Sequence, residues 1–75
     1  MSLRKDLAKE IGLLEAEIKE LEVKRTRSMS ALMEALISRK DPDELEMQYF
    51  RQYTAEIEIK RERMTEITEQ LKSIV

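Results

Sequence analysis

The chain has 75 residues, of which 40% are charged, 41% apolar and 4% aromatic, with 14 basic and 16 acidic side chains giving a net charge of -2. That length allows one domain and not two. The chain has no Cys and no His, which excludes a disulfide framework and thiolate metal sites and removes the commonest general base and metal ligand. One Gly and one Pro leave few places to turn, against an all-β fold of many short strands. From Met1 to Glu10 charge alternates with Leu, unlike the apolar h-region of a signal peptide, and no apolar run approaches the ~20 residues of a membrane span. A cytoplasmic protein with no membrane contact is expected.

Helix one is expected from about residue 3 to 40. Leu7, Ile11, Leu14, Ile18 and Leu21 recur at alternating spacings of four and three, the rhythm of a coiled-coil seam. The next two positions, Arg25 and Ser28, are polar, so the seam is read as breaking there. It is read as resuming one residue out of register, at Met29, Leu32, Met33, Leu36 and Ile37. Gly12 lies inside this helix, either as a tolerated defect or as a point of close helix–helix approach.

The turn is expected at residues 39–42. Asp41 reads as N-cap, Pro42 as first helical residue and Glu44 as capping-box partner, with Arg39 and Lys40 complementing the end of helix one. Helix two is expected from 42 to about 74. Its seam is Phe50, Tyr53, Ile57, Lys60, Met64, Ile67, Leu71 and Ile74, with Lys60 the one polar member.

A short connection makes the two helices antiparallel neighbours. The fold class is therefore all-α: a long antiparallel helical hairpin, or two-helix coiled coil, occupying residues 1–75. Aligning the seams over their full length pairs Ile18 with Met64, Leu32 with Phe50, and Glu22 with Lys60. Small scaffolds without disulfides or metals usually oligomerise, so two hairpins are expected to dimerise into a four-helix bundle. The apolar face is widest near the turn. Met29, Leu32, Met33, Leu36, Ile37, Met47, Tyr49, Phe50 and Tyr53 are the expected interface, with bundle core as their other use.

No nucleophile–base pair, metal cluster or phosphate loop is present in the sequence, so neither catalytic residues nor cofactors are expected. Asp41, Asp43 and Glu44 are explained by capping more simply than by a metal. Lys24, Arg25 and Arg27 on helix one and Lys60, Arg61 and Arg63 on helix two form a mid-hairpin basic band. Interleaved Glu20, Glu22, Glu56, Glu58 and Glu62 make a salt-bridge network its simpler use, and the acidic chain disfavours nucleic acid. A long α-hairpin with basic residues is nevertheless similar in architecture to the tRNA-binding arm of seryl-tRNA synthetases. Asp41-Pro42 followed by Leu45, Gln48, Gln52 and Tyr53 resembles type III secretion needle and inner-rod subunits, which implies a needle- or rod-like assembly, or a chaperone of one. The residues themselves suit a non-enzymatic interaction module (adaptor, scaffold or chaperone-like) whose partners are a second copy and another protein.

Overall fold

A computed structural model describes residues 2–74. Two α-helices, α1 (Leu3–Ile37) and α2 (Glu44–Ser73), pack against each other along their length. The hairpin measures 57 × 16 × 15 Å. Thirty-five residues at about 1.5 Å rise account for most of its long dimension.

The helix ends follow local chemistry. At the start of α1 the Ser2 hydroxyl accepts from the Lys5 N–H at 3.4 Å, so an otherwise unpaired donor of the first turn finds a partner. The other end closes earlier than expected. Arg39 adopts φ 57°, the left-handed conformation. The Arg39 N–H then donates to the Leu36 carbonyl at 3.1 Å, and the Lys40 N–H to the Ala35 carbonyl at 2.9 Å. This pair of bonds is the Schellman stop, usually built on Gly. Arg39 and Lys40 therefore belong to the connection rather than to helix one.

The start of α2 is also displaced. Asp43, not Asp41, is the N-cap, and its Oδ1 accepts from the Leu45 N–H at 2.8 Å. Pro42 lies before the cap instead of at the first helical position, where it holds Asp41 away from helical geometry. Glu44 is the first helical residue, and with Glu46 it places negative charge where the helix dipole is positive. A capping residue two positions later shortens helix two and lengthens the connection, which runs through residues 38–43.

Between the helices the core is thin. Leu7, Ile18, Leu21, Ile57 and Ile67 are its buried apolar residues, Ile67 completely (0% exposed). Tyr53 and Met64 pack against the Ile18–Leu21–Ile57 cluster. The seam does not shift register at the basic stretch. Arg25 is half-buried and Ser28 buried (5% exposed), followed by half-buried Leu32 and Ala35. The four–three rhythm from Leu7 thus runs unbroken to Ala35, and two polar residues occupy places in it. Met29, Met33, Leu36 and Ile37, expected to carry the seam onward, are exposed instead.

The alignment of the helices differs from expectation by about one turn. Lys60 pairs with Glu17 at 2.6 Å, while Glu22 pairs with Arg61 at 3.3 Å. The expected Glu22–Lys60 contact is not made. Antiparallel coiled-coil layers join an a position of one helix to a d position of the other. Ile18 and Ile57 occupy a positions, and Leu21 and Lys60 occupy d positions. Leu21 therefore layers with Ile57 and Ile18 with Lys60. The expected Ile18–Met64 layer would have joined two a positions, a geometry the antiparallel seam does not offer. Met64 instead approaches Ile18 from the neighbouring layer.

Candidate functional site

The hairpin has two unlike flanks, each fixed by its ion pairs. On one flank Glu10 and Arg63 form a bidentate pair. Arg63 Nε donates to Glu10 Oε2 at 2.5 Å, and Nη2 to Oε1 at 3.2 Å. Glu17 takes Lys60 on the same flank. Glu10, Glu17 and Arg63 occupy heptad positions next to the seam, from which side chains reach across to the partner helix. The Arg63 guanidinium beside Glu10 holds its carboxyl below the usual range, while Glu10 and Glu66 raise Arg63. Lys60 lies in the seam, and its stem covers apolar surface while Nζ reaches out to Glu17.

The opposite flank carries the Glu22–Arg61 pair. Glu15, Ile18, Lys19 and Met64 join these two residues around a shallow dimple of about 260 Å³. Met29 and Leu36 lie seven and fourteen residues beyond Glu22, so the helical repeat puts them on this same flank toward the turn. Met33 lies between them, four residues from Met29 and three from Leu36. On α2, Thr54 and Met47 stand seven and fourteen residues before Arg61. The flank thus changes character along its length, from Glu22 and Arg61 at mid-hairpin to Met29, Met33, Leu36 and Met47 at the turn end, with exposed Arg51 four residues from Met47 and three from Thr54 on the same side. Met33 is 54% exposed, Leu36 67% and Ile37 79%. Of the other expected interface residues, Leu32, Met47, Phe50 and Tyr53 are half-buried. Tyr49 is exposed and lies on the Glu10–Arg63 flank, stacked on Tyr53 with ring centroids 6.2 Å apart. The nine expected interface residues therefore do not form one face.

The basic band is also divided. Lys60, Arg61 and Arg63 each carry a cross-helix carboxylate, and Lys24 has Glu20 at 3.6 Å. Among the described residues Arg25 and Arg27 have no carboxylate within ion-pair distance. Lys24 and Arg27 line a groove with Ser28, Glu46, Tyr49 and Tyr53, so an acid sits among its cations. Three of the band's six cations, Lys60, Arg61 and Arg63, thus tie the two helices together. No group of three acidic, His or Cys residues able to hold a metal occurs among the described residues. No described helix is long and apolar enough to cross a membrane.

Sequence reasoning missed the asymmetry of the two flanks. The signal for it was present: Glu22, Met29 and Leu36 share one spacing of seven, as do Met47, Thr54 and Arg61. Comparison with protein families, curated proteins and solved structures gave no match.

Proposed function

We propose that the chain is a non-enzymatic protein–protein interaction module, a helical hairpin that associates with itself through the apolar face near its turn. Two hairpins so joined form a four-helix homodimer, with charged rims left to select a further protein partner. One observation carries this reading. The hairpin exposes 6175 Å², whereas a compact protein of 8.9 kDa exposes about 4,800 Å². The excess, about 1,350 Å², is larger than the ~800 Å² each partner contributes to a standard interface. Met29, Met33 and Leu36 stand exposed together on one side of α1 near the turn. Methionines suit such a surface because their unbranched, polarizable side chains adapt to what they meet.

Sedimentation equilibrium at micromolar to millimolar protein tests the reading. The expected result is a monomer–dimer equilibrium, with a thermal midpoint that rises with protein concentration because association stabilises the folded form by mass action. A single monomeric species whose melting is the same at every dilution refutes self-association.

A further inference from the structure

We infer that the groove on the Glu10–Arg63 flank toward the turn, lined by Lys24, Arg27, Ser28, Glu46, Tyr49 and Tyr53, is a binding site for the phosphate group of a phosphate monoester. The site lies apart from Met29, Met33 and Leu36 and does not depend on self-association.

The repeat along this flank explains why the groove has cations to spare. Glu10, Glu17 and Lys24 follow one another at spacings of seven on α1, as do Tyr49, Glu56 and Arg63 on α2, so each set returns to one side of its helix. Toward the open end the repeat sets Glu10 against Arg63. Two repeats nearer the turn it sets Lys24 beside Tyr49, and a phenol stands where a carboxylate would pair. Lys24 reaches only Glu20 of its own helix, at 3.6 Å, and the Glu20 side chain is 70% exposed. Such solvated pairs hold their partners weakly. Among the described residues Arg27 has no carboxylate within ion-pair distance, and Glu46 has no basic partner.

Ser28 is the second, independent indication. It is 5% exposed, yet its hydroxyl makes no hydrogen bond among the described residues, whereas Thr54, Thr65, Thr68 and Ser73 each donate to the carbonyl four residues earlier. No buried side-chain oxygen or nitrogen among the described residues is sealed away without a partner. The Ser28 hydroxyl therefore opens into the groove that it lines, with its proton free to donate. Tyr49 and Tyr53, stacked with ring centroids 6.2 Å apart, wall the same space. The groove holds about 280 Å³, room for a phosphate and part of the group that carries it. A phosphate monoester is a compact anion of nearly two charges at neutral pH, with three oxygens that accept from guanidinium, ammonium and hydroxyl donors together. The lining carries two positive charges, Lys24 and Arg27, and one negative, Glu46, so it favours an anion while Glu46 limits how strongly.

Backbone-amide NMR tests this, with sodium phosphate as the probe against sodium chloride at matched ionic strength. The expected result is a saturable shift confined to residues 24–28 and 46–53, with no comparable change near Arg4 and Lys5 at the open end. Arg27→Gln, at an exposed position, should weaken phosphate binding about tenfold with helix content retained, the worth of a hydrogen bond to a charged group. Ser28→Ala should weaken it severalfold. That loss is specific to a built site, because the substitution leaves the charge unchanged. Glu46→Gln should tighten binding. Free phosphoserine and a phosphoserine peptide, titrated in parallel, separate two sources of the group. Equal affinity supports a small phosphate ester, and tighter binding of the peptide supports a phosphorylated segment of a partner protein. Shifts that never saturate, that spread over all the basic residues, or that persist unchanged in Arg27→Gln and Ser28→Ala overturn the site. So does the absence of any phosphate-induced shift in the parent chain, the result expected where Arg27 and Glu46 pair in solution and close the groove.

Discussion

Replacing Gly12 with Ala is expected to stabilise the hairpin by about 1 kcal/mol. Gly12 is the chain's one glycine and sits inside α1. It does not use a positive φ, so its backbone conformation is open to any residue. A Cβ built there meets nothing within 4 Å. The close-approach reading of this glycine therefore falls, and only the propensity term remains. Ala exceeds Gly in a helix interior by about 0.8–1 kcal/mol, much of it through the unfolded chain, which loses freedom it would otherwise have to surrender on folding. For a domain of this size that corresponds to a rise of about 4–8 °C in thermal midpoint. Circular dichroism melts at one fixed protein concentration would measure it, because dilution alone moves the midpoint of an associating chain. Urea titration should show a higher midpoint at unchanged slope. A midpoint that stays put or falls would mean that the space beside Gly12 is occupied in solution.

Further outcomes follow from the caps and the core. Arg39→Gly should raise stability by roughly 0.5–1 kcal/mol, since the left-handed Schellman position costs a side chain what glycine does not pay; chemical denaturation checks it. Ile57→Ala should cost about 2–4 kcal/mol because Ile57 is buried in the main cluster, while exposed Ile59→Ala should change stability by under about 0.5 kcal/mol. Glu10 should titrate below the ordinary glutamate value in a carboxyl-carbon NMR titration. Its folded value is depressed, so its contribution to stability is present above the ordinary carboxylate range and lost as pH falls through the folded value. Arg63→Gln should return the Glu10 midpoint toward the ordinary range.

How far the sequence speaks differs from element to element. The two helices and the antiparallel hairpin were legible because a four–three repeat sustained over so many turns matches a helical seam and no strand period. The seam across Arg25 and Ser28 was misread because polarity was taken as the sign of leaving the interface. Ser28 is small enough to be covered by its neighbours, and Arg25 can keep its head in water while its stem packs. Position in the repeat decided their burial, and residue type did not. The Asp41 cap was misread because two aspartates flank Pro42 and either can cap; only the left-handed closure at Arg39 displaces the start of α2 to the second. The alignment of the helices was misread because matching seam lengths ignores which positions layer together. The charge pairs contain that information, since Glu10 with Arg63 and Glu22 with Arg61 are the same register seen from opposite flanks.

The distribution of the core has a consequence for how the hairpin breathes. Leu7, Ile18, Leu21, Ile57 and Ile67 all lie between the open end and mid-hairpin, and the turn third holds only Ser28 as a buried residue. Local opening is governed by buried apolar contact, so amide hydrogens of residues 30–37 and 45–52 should exchange before those around Leu21 and Ile57. The covalently joined end of the hairpin is thus its loosest part, a clamp gripped at its tips and slack at its hinge. Whatever covers the turn end should slow exchange there first, and that local protection would report occupancy well before any change in overall helix content.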